Sequence, residues 1–392
     1  MTRLNGVEYI IGVEKVDNTP LSVFDDGVLV FLEEVSAALL KSPLGRAYPD
    51  IAAFAFYSRK ANLLKLKETF GDMAGRLGRG LCFHITPANI PINFAFSWLF
   101  SVLAGNGNIV RLPSKNFPQV EALCDVLRKV IEGYPEIANR TAFVRYPRTV
   151  HATEDFCLKA DARMIWGGDT TIASIKALPA APRCVDIAFA DRYSVALIEA
   201  QSVLKATKDE LLRLAENFYN DTYLMDQNAC SSPQVILWQN DDPAARERFW
   251  EAVAVVASKK YVLQDAISVD KYTFFCEEAV SNPNVRAVTR SGNLLYRLEL
   301  NELKADVVAH RGQAGFFFEY ALQSWGELFA IVTEKFQTVT EFGIDVHKLR
   351  NEIVAHHLRG IDRIVPVGQA MNISTFWDGY DLIRTLSRIV MV

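Results

Sequence analysis

The sequence predicts an α/β protein built on parallel sheets and divided into two lobes. Three observations carry that expectation. Short strand-like segments at residues 108–112, 162–166, 193–198 and 233–238 alternate with segments whose apolar residues recur at helical spacing. Hydrophobic residues make up 50% of the chain, enough to cover both faces of a sheet. The length of 392 residues accommodates two domains of ordinary size.

Each element has a local reason. Residues 91–104, PINFAFSWLFSVLA, are apolar nearly all round and stop at Gly105, a helix terminator. The run is shorter than the roughly 20 residues a bilayer needs, so a buried core helix is expected and no membrane span. A strand follows and is closed by Pro113. From Pro118, Val120, Leu123, Cys124, Leu127, Val130 and Ile131 form one helical stripe, ended by Gly133 and Pro135. Residues 162–166, ARMIW, feed a Gly167-Gly168 turn, with Asp169 as the expected helix cap. A strand from Tyr193, a helix across 204–219 and a strand from Pro233 come next. Asp242 then caps a helix through Val256, with Pro243 at its first position.

The lobe boundary is expected near residue 196, with the polar stretch between Glu199 and Lys208 as the break. The resulting division is a first lobe over 1–196, a second over 197–380 and a tail over 381–392. The tail's end, Arg388-Ile-Val-Met-Val, is β-prone and is expected to pair with its own chain or with a partner subunit.

Composition excludes several classes. A net charge of -4 argues against nucleic-acid binding, which needs clustered excess Lys and Arg. The six cysteines are too few for a disulfide scaffold and form no CxxC pair. The start, MTRLNGVEYIIGVEKVD, has no apolar signal core, so a cytoplasmic setting is expected. The histidines lack HExxH spacing, so no metal site is expected. GxSxG, Walker A and GxGxxG motifs are absent.

Three segments stand out chemically. Asn89 lies between two prolines at a strand-to-helix junction, where its amide serves either as a turn or cap residue or as an oxyanion donor. Gly167-Gly168 either satisfies the turn alone or lets backbone N–H groups approach a phosphate. Cys230, in MDQNACSSP, sits in a polar loop among small neighbours, whereas the other five cysteines lie in apolar or mixed segments. It is either a nucleophile or a structural thiol.

Together these segments resemble one family. HITPANIPINFAFSWLFSVLAGNGNIVRLPSKN, MIWGGDTT, QNACSSPQ, GELFAIV and GIDRIVPVGQA are similar to the LuxC-type acyl-CoA reductases of the aldehyde dehydrogenase superfamily. The resemblance implies an aldehyde dehydrogenase-like fold, with a Rossmann-like cofactor lobe and an α/β catalytic lobe. It implies that Cys230 takes the acyl group as a thioester and that Asn89 and the Cys230 N–H stabilise the oxyanion. It places Gly167 and Gly168 beside the dinucleotide and Glu327 on the nicotinamide ribose. The activity implied is reduction of a long-chain fatty acyl-CoA to its aldehyde, with coenzyme A released. The donor is the acyl-CoA itself or an acyl-protein from a synthetase partner, and a homo-oligomer is expected.

Two departures sharpen this. Hydrolytic relatives carry a general-base glutamate in an ELGG segment, and the corresponding stretch here is Ile187-Ala-Phe-Ala-Asp-Arg, with Ala188 at the glutamate position. Without that base, water is poorly activated against the thioester, which favours reduction over formation of an acid. NAD-preferring relatives often read KPSE where this chain has Leu112-Pro113-Ser114-Lys115. A lysine in place of the glutamate, beside Arg111 and Ser114, favours the 2′-phosphate of NADPH.

Overall fold

The computed structural model describes every residue except 1, 5, 88, 89 and 148, and every side chain except those of residues 1–5, 46, 88, 89 and 148. The chain divides into two compact units: Met1–Ala190 with Thr375–Val392, and Asp191–Ser374.

The first unit is built on a seven-stranded sheet. Its strands are β1 (Thr2–Leu4), β2 (Val7–Ile11), β3 (Leu81–Ile85), β4 (Gly107–Arg111), β5 (Thr141–Arg145), β6 (Ala162–Trp166) and β7 (Val185–Phe189). They lie in the order β1-β2-β5-β4-β3-β6-β7, with β1 and β2 antiparallel and the other five parallel. Numbered by appearance, the parallel strands run 3-2-1-4-5, the order of dinucleotide-binding sheets. Strand order reverses between β3 and β6. The loop after Ile85 and the glycine turn after Trp166 therefore stand on either side of the switch point, where such sheets bind ligands.

Helices α1 (Asp26–Lys41), α2 (Asn93–Leu103) and α3 (Pro118–Ile131) cover one face, and α4 (Ala152–Lys159) and α5 (Asp169–Lys176) belong to the other. The apolar run expected as a buried helix is α2. Phe94, Trp98, Leu99 and Phe100 are fully buried in it, and Trp98 meets Phe31 and Phe143 edge-on. These aromatics fill the core. Each large side chain so buried contributes about 1.5–3 kcal/mol. Among the described residues no helix is long and apolar enough to cross a membrane.

The second unit has its own seven-stranded sheet: β8 (Tyr193–Glu199), β9 (Pro233–Gln239), β10 (Val285–Ser291), β11 (Leu295–Leu300), β12 (Phe316–Leu322), β13 (Phe336–Phe342) and β14 (Arg363–Pro366). The order is β10-β11-β12-β9-β8-β13-β14, parallel throughout except for the β10–β11 hairpin. Helices α6 (Lys208–Asp221) and α7 (Pro243–Lys260) pack on one face. Helices α8 (Asp265–Ser281), α9 (Trp325–Phe329) and α10 (Val346–Ala355) complete the unit.

Four local expectations are corrected. The units divide between Ala190 and Asp191 rather than near 196, because β8 is hydrogen-bonded on both sides within the second sheet. The polar stretch 199–208 accordingly lies inside the second unit. The helix expected over 204–219 is two, Ala200–Lys205 and α6, because Thr207 and Glu210 form a reciprocal capping box that restarts it. The cap of α5 is Gly168 and not Asp169, which occupies the first helical turn.

The return segment begins at Thr375 rather than 381 and belongs to the first unit. Its strand Ser387–Ile389 pairs antiparallel with Arg76–Gly78 of the same chain, in a two-stranded sheet.

Candidate active site

The loop carrying Cys230 is held in a conformation that costs free energy locally. After α6 and the short turn Tyr223–Met225, Asp226 (φ 49°) and Gln227 (φ 61°) are both left-handed, at about 1–3 kcal/mol each for non-glycine residues. The compensation runs through Gln227, which is buried. Its Nε2 donates to the carbonyls of Pro233 (3.2 Å) and Phe316 (2.8 Å). Its Oε1 accepts the N–H groups of Gly315 and Phe316, each at 3.1 Å. Two donors and two acceptors saturate the amide, so this side chain ties the loop to the starts of β9 and β12.

Gly315 makes the approach possible. Its φ is +86°, and a Cβ there would fall 2.3 Å from the Leu294 carbonyl and 2.5 Å from the Tyr223 hydroxyl. Next to it, Lys271 is buried and donates to the carbonyls of Ala314 (2.6 Å) and Asn293 (2.8 Å).

Cys230 itself is gripped at two points. Its carbonyl accepts the Ser194 hydroxyl at 2.7 Å, and its Sγ accepts the Gln337 Nε2 at 3.4 Å. The two supports are joined, since Ser194 Oγ also accepts the Thr338 N–H at 3.2 Å. Ser194, Cys230 and Gln337 stand at or just before the amino ends of the neighbouring strands β8, β9 and β13. Cys230 thus sits at the amino edge of its sheet, opposite to the edge where open α/β sheets ordinarily bind ligands.

A cavity of about 280 Å³ opens beside Cys230. Gln227, Gln234, Gln313, Arg192, Arg311 and Phe274 are among the residues that line it, and its wall is a near-even mix of polar and apolar surface. Arg311 pairs with Asp191 at 2.9 Å and Arg192 with Asp362 at 2.5 Å.

Four of the other thiols are poorly suited to nucleophilic chemistry. Burial pushes Cys82 and Cys124 up to about 12 and Cys184 up to about 11, and it raises Cys157 as well. Cys276 lies on α8, away from this loop in sequence.

Comparison with known proteins decides the family. The family profile "Acyl-CoA reductase (LuxC)" matches residues 44–269, more than half of the chain. The chain belongs to the LuxC acyl-CoA reductase family. No curated protein sequence matches it. Its solved structural neighbours have aldehyde dehydrogenase folds. A 1-pyrroline-5-carboxylate dehydrogenase mutant from Thermus thermophilus is 11% identical with a TM-score of 0.65, over 94% of this chain and 81% of that one. A glyceraldehyde-3-phosphate dehydrogenase from Methanocaldococcus jannaschii, complexed with NADP, is 13% identical with a TM-score of 0.63, over 93% and 88%. An NAD-dependent benzaldehyde dehydrogenase from Corynebacterium glutamicum is 12% identical with a TM-score of 0.58, over 94% and 83%. The fold of this LuxC-family chain is therefore aldehyde dehydrogenase-like, and its family supports acyl-CoA and aldehyde redox chemistry.

The first unit of the LuxC-family chain fits a nicotinamide dinucleotide. Neither Gly167 nor Gly168 has a positive φ, and a Cβ on Gly168 would meet nothing within 4 Å. Gly168 caps α5, and the open space beside it leaves room for a ligand close to the turn. At the end of β4, the second strand of the dinucleotide order, Arg111 lies over the Tyr146 ring at 4.6 Å. Ser114 and Lys115 are exposed just beyond it, and the stretch 111–117 contains no carboxylate. Second-strand ends of this kind recognise the adenosine ribose, through an acid for a free 2′-hydroxyl or a cation for a 2′-phosphate.

The remaining expectations distribute differently. Asn89 lies outside the described residues. Ala188 is on β7, and the carboxylates nearest to it in sequence are both engaged: Asp186 with Arg163 at 2.6 Å and Asp191 with Arg311. Neither is placed as a free general base.

Glu327 is not brought to Cys230. Its carboxylate accepts the Gln323 N–H (2.7 Å) and the Tyr320 hydroxyl (2.9 Å), just past the carboxyl end of β12. The β9–β12 register sets Gln239 level with Leu322, so about six strand steps, roughly 20 Å, separate that end from the Cys230 edge. On the Cys230 side lies Glu334, exposed three residues before Gln337 and paired with Arg359 at 3.6 Å. Sequence reasoning also missed Ser194, Gln227 and Gln337. Each is an ordinary polar residue in its local pattern, and only strand pairing assigns it a partner.

Proposed function

We propose that this chain reduces a long-chain fatty acyl-CoA, or an acyl-protein delivered by a synthetase partner, to the aldehyde with NADPH through a thioester on Cys230. Family membership supports the reaction class. The observation that carries the residue assignment is the double hold on Cys230, carbonyl to Ser194 and sulfur to Gln337, beside a cavity. A nucleophile so fixed attacks from one direction, which is where positioning lowers a barrier.

In the first step the Cys230 thiolate attacks the acyl thioester carbonyl and coenzyme A leaves as its thiolate. The resemblance gives the oxyanion to the Asn89 amide and the Cys230 N–H, and the proposal retains both. Bound NADPH supplies a hydride for reduction of the thioester. Arg111, Ser114, Lys115, Gly167 and Gly168 are the residues assigned to hold it. The ribose role moves from Glu327 to Glu334, which lies on the Cys230 side of its sheet. The pairing of Asp186 and Asp191 with arginines leaves water without a placed base there, which supports reduction over hydrolysis.

The test is acyl-CoA-dependent oxidation of NADPH across a panel of chain lengths, with intact-mass detection of the acyl-enzyme. Wild type is expected to form aldehyde and to carry acyl on Cys230. Cys230→Ala is expected to do neither, and acyl label retained in that variant overturns the assignment.

A further inference from the structure

We infer that Gln337 is a catalytic residue, whose side-chain amide stabilises the Cys230 thiolate each time the sulfur carries charge. The inference rests on the reading of Cys230 as the nucleophile.

The geometry is specific. Gln337 is fully buried at the start of β13, and its Nε2 reaches Sγ at 3.4 Å. The amide is oriented, because its Oε1 accepts the Thr338 hydroxyl at 3.3 Å and so leaves the Nε2 end toward sulfur. The backbone of Thr338 is in turn fixed on Ser194 Oγ, the group that holds the Cys230 carbonyl. One strand end therefore positions both the sulfur and its donor. A neutral amide donor in a buried setting favours the charged form of the acceptor it faces.

The reaction uses that preference twice. During acylation the thiolate lone pair forms the S–C bond, and coenzyme A departs with the electrons of the broken C–S bond. During collapse of the reduced intermediate, the carbonyl re-forms, the Cys230 C–S bond breaks and its electron pair returns to sulfur. Gln337 donates a hydrogen bond to the thiolate before the first event and after the second. It transfers no proton and stays neutral throughout. In the intervening thioester the sulfur is a poor acceptor, so the bond favours the expelled thiolate over the covalent state.

The experiment is the pH dependence of Cys230 alkylation by iodoacetamide, read by peptide mass spectrometry, in wild type, Gln337→Met and Gln337→Glu. Methionine keeps the shape without a donor, and glutamate keeps the Thr338 contact while presenting negative charge to the sulfur. The wild-type apparent pKa is expected below the ordinary thiol value of about 8.5. In Gln337→Met it is expected to rise by about one unit, with alkylation at pH 7 about tenfold slower and an unchanged high-pH plateau. A larger rise is expected in Gln337→Glu.

Equal profiles in wild type and a folded variant overturn the inference. If neither variant folds, the wild-type titration decides, and a value at or above about 8.5 overturns it. Absence of acyl transfer to wild-type Cys230 would instead reject the nucleophile reading, independently of the alkylation profiles.

Discussion

Ser194 and Cys230 are joined by a 2.7 Å hydrogen bond in which the serine hydroxyl donates to the cysteine carbonyl. The same hydroxyl accepts the Thr338 N–H, so one small side chain connects the Cys230 loop to two strands. Ser194→Ala leaves both backbone groups without this partner. It is expected to lower kcat about tenfold, with KM for acyl-CoA little changed, and to cost about 1–3 kcal/mol of stability. Steady-state kinetics and denaturant titration check this, and an unchanged kcat removes the positioning role.

Gln227 predicts a larger structural effect. Its amide satisfies four backbone groups beside two left-handed residues. Gln227→Ala is expected to destabilise the second unit by about 3–5 kcal/mol. Urea unfolding monitored by tryptophan fluorescence measures it, and a loss under about 1 kcal/mol contradicts the clamp.

The two glutamates separate cleanly. Glu334→Gln is expected to raise KM for NADPH several-fold, while Glu327→Gln, whose carboxylate holds its own chain, is expected to change KM little and stability modestly. The reverse outcome restores the ribose role to Glu327.

The proposed NADPH preference rests on Lys115. Lys115→Glu inverts the charge at the exposed end of the second dinucleotide strand and is expected to lower kcat/KM for NADPH about tenfold or more, with NADH largely unaffected. Kinetics with both cofactors decide, and an unchanged NADPH-to-NADH ratio sinks the assignment.

His84 predicts acid sensitivity of the first unit. It is fully buried between Ser97 Oγ (2.8 Å) and Asn108 Oδ1 (3.0 Å), and burial pushes it down to about 4. The unfolded imidazole titrates near 6.5 and so binds its proton first. Its contribution is complete above about 6.5 and is lost as pH falls toward 4, by about 2 kcal/mol between pH 7 and pH 5. Denaturant titrations at those two values should show that slope in wild type, and His84→Gln should show a shallower one.

Several features were legible in the sequence because they are written in local pattern. The α2 run is apolar nearly all round, β6 is a strand-length segment that runs straight into a glycine pair, and Asp242-Pro243 starts α7 by capping and φ preference. Cys230 stood out because it alone among the thiols lies in a polar loop. The resemblance to a known family located the glycine turn and the missing base. Its ribose glutamate is the assignment we propose to move, since Glu327 and Glu334 are seven residues apart and only β12 and β13 show that they lie toward opposite sheet ends.

By itself, the sequence determined the α/β class, the two-lobe organisation and the family, and it singled out one candidate thiol, all consequences of composition, periodicity and motif. Tertiary structure alone decided how the thiol is held. Ser194 and Gln337 are 36 and 107 positions away from Cys230 along the chain, Gln227 is 88 and 89 from its partners Gly315 and Phe316, and all three acquire their roles only where parallel strands bring their ends level. A hydrogen bond between residues so distant leaves no periodic trace in a single sequence. Its geometry is set by strand register, and register follows from burying both faces of the sheet at once.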